Sequence, residues 1–202
     1  MFERRSALFV TLATGGRDGS DGRRTLKVGE VRDFTLVQVA ALLGALPSLS
    51  VAANAVLGEL PSTPGKVSTA RSRLLFKIGP EQYWLVSSAD EDLTGQLQRV
   101  IAPEIGVVTS LSHSRTRLFI EGPAARRVLS TAIALDLHPD TFPVRAFALT
   151  GVHNTPILLH RAALDCYEFY VLRTFAEWLW EWLIDAALPF GYEMASLSRS
   201  AP

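Results

Sequence analysis

The chain has 202 residues, 48% hydrophobic and 20% charged, and its 20 basic and 20 acidic side chains give a formal net charge of +0. This is globular composition, able to bury roughly 70% of the unfolded surface in one domain or two small ones without metals or disulfides, and it offers no overall field for a nucleic-acid partner. The lone Cys166 cannot form an internal disulfide, and the apolar stretch from Ala7 to Ala13 is too short for a membrane span and marginal for a secretory signal, so a cytoplasmic protein without membrane partners is expected.

Residues 1–24 are expected to be a mobile N-terminal segment, because Gly15, Gly16, Gly19 and Gly22 lie among charged and hydroxyl side chains that cannot offset the entropy of ordering. From Thr25 to Leu43 the Val, Thr and Leu content favours extended chain, while the run Ala40 to Leu46 also suits the start of a helix. After Pro47, the spacing of Leu49, Val51, Ala52, Ala55, Val56 and Leu57 predicts a short helix that stops near Gly58 and Pro61. Strands at 73–78 and 83–87, joined by Gly79-Pro80-Glu81-Gln82, predict a hairpin. Ser88 with Glu91 forms a capping box ahead of Leu93, Leu97, Val100 and Ile101, which predicts a helix over 89–102.

The pattern repeats with strands at 106–110 and 115–121, then a helix after Gly122-Pro123 with Ala125, Val128, Leu129 and Ala132 as its apolar stripe. Extended segments at 146–152, 157–160 and 167–172 precede a last helix, 175–188, for which Thr174 and Glu177 supply a second capping box. The fold class is therefore α+β, with antiparallel sheets and helices packed on them. Two small subdomains are expected, 25–110 and 111–192, followed by a tail over 193–202.

On a helical wheel, Glu177, Glu181 and Asp185 of the last helix form one narrow polar stripe. Phe175, Trp178, Leu179, Trp180, Trp182, Leu183, Ile184 and Ala186 fill the remainder, more than the arc of somewhat over about 100° that covers one side of a domain. Two readings stay open: another chain covers part of the arc, or the helix lies between two subdomains of its own chain. The first makes Arg173, Phe175, Trp178, Trp180 and Trp182 interface candidates.

No assembled reaction site is legible. Gly65-Lys66 lacks the first glycine and the hydroxyl of a phosphate loop, with Leu60 and Val67 at those positions. The four histidines, His113, His138, His153 and His160, have no metal-ligand spacing and are expected as surface or capping residues. Cys166 near His160 has no oxyanion turn and reads as a half-buried structural thiol. Asp90, Glu91 and Asp92 suit a first helical turn, where the backbone dipole favours negative charge. Catalytic, cofactor-binding and metal-binding residues are therefore expected to be none.

Several ordered segments carry a resemblance: Arg4-Arg5-Ser6-Ala7-Leu8; Gly79-Pro80-Glu81-Gln82-Tyr83-Trp84-Leu85-Val86; Leu111 to Leu118 followed by Gly122-Pro123-Ala124-Ala125-Arg126; Asp136-Leu137-His138-Pro139 with Phe142-Pro143; Leu158 to Arg161; Tyr170 to Ala176; and Leu179 to Leu183. Together they resemble the gamma subunit family of heterotetrameric sarcosine oxidase, whose fold is similar to part of the glycine-cleavage aminomethyltransferase. Ser114 stands where the family pattern has glycine and Leu172 where it has proline, and both positions shape the backbone.

The resemblance implies a non-catalytic gamma subunit beside alpha, beta and delta subunits, supporting assembly and stability of a complex that oxidatively demethylates sarcosine. FAD, FMN, NAD and tetrahydrofolate are implied for that complex and none for this chain. Two alternatives remain at this level: a subunit of a related complex oxidising another secondary or N-methylated amine, and a small folate-binding aminomethyltransferase-like protein.

Overall fold

A computed structural model of the chain describes residues 6–8 and 15–197. In chain order the elements are β1 (Gly16–Arg17), β2 (Leu26–Val31), β3 (Thr35–Ala41), α1 (Leu46–Leu57), β4 (Ser68–Ala70), β5 (Arg73–Gly79), β6 (Gln82–Ser87), α2 (Leu93–Val100) and β7 (Gly106–Ser110). They continue with β8 (Arg115–Glu121), α3 (Ala125–Leu129), β9 (Phe147–Val152), β10 (Thr155–Ala163), β11 (Cys166–Leu172), α4 (Ala176–Ala187) and β12 (Tyr192–Leu197), with a 3₁₀ turn on either side of α4. The α+β class expected from the sequence is the class found.

Two compact units result. Residues 33–112 hold a five-stranded antiparallel sheet in the order β4-β5-β6-β3-β7. Its inward positions Val37, Val39, Leu75 and Leu85 bury against Leu49, Ala53 and Leu57 of α1 and Leu93 and Leu97 of α2. Both helices dock because their apolar residues recur at three- and four-residue spacing on one face.

The second unit joins residues before 33 to residues after 112. Its seven-stranded sheet has the order β1-β12-β2-β8-β11-β10-β9, antiparallel except for the parallel pair of β12 with β2. Leu26, Val28, Leu118, Ile120, Leu159 and Phe169 face Val128 and Leu129 of α3 and Leu179, Trp180 and Leu183 of α4. Gly29 permits the close approach of β12, since a Cβ there would lie 1.7 Å from the carbonyl oxygen of Ala195.

The predicted hairpin of β5 and β6 forms with the anticipated turn, and α1 starts at Leu46 with Pro47 in its first turn, which settles the strand-or-helix choice after Ala40. Several boundaries differ from the sequence reading for physical reasons. β2 pairs with β8 and β12, so residues 26–31 leave the expected first subdomain, and the expected tail begins with a strand; residues 198–202 lie outside the described residues. β7 and β8 belong to different sheets. Residues 15–24, expected as mobile, are tied down where described: β1 pairs with β12, the Gly19 N–H donates to the Arg23 carbonyl at 2.8 Å, and the Ser20 N–H donates to that of Pro189 at 3.1 Å. Residues 1–5 and 9–14 of that segment lie outside the described residues.

Neither capping box forms. α2 begins at Leu93, with Asp92 as its cap accepting the Gly95 N–H at 2.9 Å, while Glu91 turns away to pair with Arg73. The acidic trio therefore precedes the helix instead of occupying its first turn. At α4 the cap position is Phe175 with no side-chain cap bond, because residues 173–175 are wound as a 3₁₀ turn.

Candidate interaction surface and a buried polar network

Alternation along the strands puts Arg117 and Phe119 of β8, Glu168 and Tyr170 of β11, and His160 of β10 on the sheet face opposite α3 and α4. Arg117 is 3% exposed, Glu168 1% and His160 4%, so this charged group is buried. One carboxylate oxygen of Glu168 accepts from the Arg117 Nη2 at 2.8 Å, and the other accepts from the His160 Nδ1–H at 3.2 Å. The Arg117 guanidinium also lies 5.5 Å from the centroid of the Tyr170 ring.

Burial by itself pushes the Glu168 carboxyl up, but the Arg117 charge and the His160 hydrogen bond outweigh it and hold the group at about 2. Burial raises the Tyr170 hydroxyl far above its ordinary value. Glu168 thus spends both oxygens on internal partners and stays ionised, which makes it a structural counter-charge; a general acid or base needs an oxygen free to meet a substrate. His160, expected at the surface, is the third member of this network. Cys166, expected to be half-buried, is 2% exposed on the same face.

No group of three or more His, Cys, Asp or Glu side chains able to hold a metal occurs among the described residues. An open cleft of about 390 Å³ lies between residues 20–25, Arg127 and Phe190, and another of about 370 Å³ borders α1 at Val51 and Asn54. Neither is lined by a cysteine or a histidine. Gly65 turns the chain at φ 82° and Lys66 beside it is exposed, as befits a plain loop lysine. No helix among the described residues is long and apolar enough to cross a membrane.

The last helix resolves its broad apolar arc into two parts. Ala176, Leu179, Trp180, Leu183 and Ala187 are buried in the core of their own unit, whereas Phe175 and Trp178 are 42% and 40% exposed. Trp180 is 2% exposed, so it is corrected from an interface candidate to a core residue. Trp182 is half-buried and packs against the same core. The His153 ring at the β9–β10 turn meets Trp178 and Trp182 edge-on at 6.1 and 6.3 Å. Arg173 is half-buried and engaged within the chain: its Nη2 donates to the Ser6 carbonyl at 3.2 Å and its backbone N–H to the Ser114 carbonyl at 2.9 Å. The arginine therefore ties the N-terminal segment to the start of β8, a role that the helical wheel could not show. Glu177, Glu181 and Asp185 are exposed, as the wheel predicts.

The two sheets with helices packed on them are those of an aminomethyltransferase-like fold. The chain superimposes on the glycine cleavage system aminomethyltransferase T of Bartonella henselae with a TM-score of 0.65 at 16% identity, covering 97% of this chain and 60% of that one. The family is narrower. Residues 43–188 match the model of the sarcosine oxidase, gamma subunit family, and the chain belongs to that family. The sarcosine oxidase subunit gamma of Corynebacterium sp. (strain U-96) is 32% identical over 84% of this chain and 82% of its own length. That of Arthrobacter sp. is 32% identical over 80% and 79%. A chain of the heterotetrameric sarcosine oxidase from Corynebacterium sp. U-96, in complex with pyrrole 2-carboxylate, matches with a TM-score of 0.79 at 30% identity over 93% of this chain and 96% of that chain.

Proposed function

We propose that this chain is the non-catalytic gamma subunit of a cytoplasmic heterotetrameric sarcosine oxidase, packing beside alpha, beta and delta subunits and stabilising the complex by mass action. The observation that carries this reading is the match over nearly the full length of both chains to a chain of a heterotetrameric sarcosine oxidase. FAD, FMN, NAD and tetrahydrofolate then belong to the complex and its chemistry of oxidative demethylation and one-carbon transfer. They fall to the other subunits, in keeping with the commitment of buried Arg117, Glu168 and His160 of this chain to one another.

Phe175 and Trp178 are the interface residues, with the half-buried edge of Trp182 and the His153 ring completing the patch. Large aromatic side chains at a desolvated interface centre carry disproportionate binding energy. The test is co-purification of tagged chain with the flavin-containing subunits from its source. A yellow complex should appear with wild-type chain and fall at least tenfold with Trp178→Asp or Phe175→Asp. Unchanged recovery with both variants would remove this patch from the interface, and a colourless lone chain would remove the subunit reading.

A further inference from the structure

We infer that β9 is the docking edge for an extended segment of a partner subunit, which adds a strand to the seven-stranded sheet beside the α4 aromatic patch; this rests on the subunit reading above. β9 is the outermost strand, and no strand among the described residues flanks it on the side away from β10. Just ahead of it the Arg161 N–H donates to the Ala146 carbonyl at 2.9 Å, which sets the ladder's phase. By alternation, Ala148 with Leu159, Thr150 with Ile157 and Val152 with Thr155 are the hydrogen-bonded pairs. Pro156, which has no N–H, stands opposite Gly151 and agrees with that phase. The N–H and C=O of Leu149 and Gly151 therefore point outward along the open edge.

Exposed edges are ordinarily guarded by charge, proline, a bulge or brevity. β9 meets a bulge only at its entry, where Arg145 at φ 71° and Ala146 both bond Arg161; from there the six-residue run Phe-Ala-Leu-Thr-Gly-Val has no charge, proline or bulge. The opposite edge of the sheet is guarded: β1 has only 2 residues, and one of them is Arg17. Along β9 the Leu149 side chain is 58% exposed and Val144 just upstream 41%. At its far end the turn to β10 places His153 against Trp178, so the backbone edge runs directly into the exposed patch of α4.

The occupant follows from this chemistry. Outward amides and carbonyls at two-residue intervals are satisfied by an extended chain and not by a helix, and exposed Leu149 calls for an apolar cross-strand neighbour. Past Trp178 the segment meets the exposed stripe of Glu177, Glu181 and Asp185, in a helix with no basic residue in its last turn, so it carries Lys or Arg at that end.

Amide hydrogen exchange of the full chain, free and in the reconstituted complex, tests the inference. The Leu149 and Gly151 amides should slow at least 100-fold in the complex, while those of Thr150 and Val152, already bonded to β10, are protected in both states. Leu149→Pro removes only an outward N–H and should lower recovery of the complex at least tenfold, with the circular dichroism of the free chain unchanged. If Leu149 and Gly151 exchange alike in both states while Trp178→Asp still weakens the complex, the edge inference is overturned and the subunit reading stands. Protection in a self-dimer of the free chain, or loss of the complex with Val108→Pro in β7 but not with Leu149→Pro, also overturns it. A chain that assembles with no other subunit ends both.

Discussion

Glu168→Gln keeps the side-chain volume but leaves the Arg117 guanidinium, 3% exposed, facing a neutral amide. Two estimates of the cost converge. Removing one partner of a buried ion pair typically destabilises by about 3–5 kcal/mol. The fall of the Glu168 carboxyl from 4.5 to about 2 corresponds to about 3 kcal/mol of preference for its ionised form. With a urea slope of about 2 kcal/mol/M, the unfolding midpoint of the chain should drop by roughly 1.5–2.5 M without a change in slope. The acidity dependence has a definite sign. Because the folded carboxyl titrates below its ordinary value, its contribution is complete above about pH 4.5 and is lost as the pH falls toward 2. The gap between wild type and Glu168→Gln should accordingly be constant at neutral pH and close on acidification. Arg117→Met in the Glu168→Gln background should recover most of the loss, since no charge then remains uncompensated. A Glu168→Gln chain within about 0.5 kcal/mol of wild type at pH 7, or a gap that widens in acid, would refute the reasoning.

Other substitutions probe different parts of the fold. Trp180→Ala should cost about 3–5 kcal/mol by urea denaturation, while Trp178→Ala should cost the isolated chain less than about 1 kcal/mol and act on assembly instead. Gly29→Ala forces a Cβ to within 1.7 Å of the Ala195 carbonyl and 2.7 Å of the Phe119 ring, so it should unpair β12 and expose its amides to rapid exchange. Asp92→Ala removes the cap of α2 and should lower stability by about 1 kcal/mol without affecting assembly, as read by thermal unfolding and co-purification.

The strands of this protein were legible wherever apolar residues alternate or run continuously, as in β5, β6, β8 and β11, and α4 was legible from its wheel. The side of α4 that faces its own sheet was not, because Trp178 and Trp180 are chemically alike and only the position of the helix on the sheet separates them. The buried network left a weak signal: Glu168 interrupts the apolar run of β11, while Arg117 and His160 stand beside other polar residues, Thr116 and Arg161. No periodicity links them, since Arg117 and Glu168 lie 51 residues apart and meet through the register of β8 with β11.

Local chemistry determined the α+β class, the β5–β6 hairpin, the absence of a phosphate loop and the acidic outer stripe of α4, because each depends on neighbours within a few residues. The ordered segments of the sequence also carried the family resemblance. Tertiary structure decided what depends on distant partners. It placed residues 26–31 with β8 and β12 and drew residues 15–24 against the turn after α4. It also gave Glu91 to Arg73 instead of to a capping box, because a buried guanidinium needs a carboxylate more than an exposed helix end does.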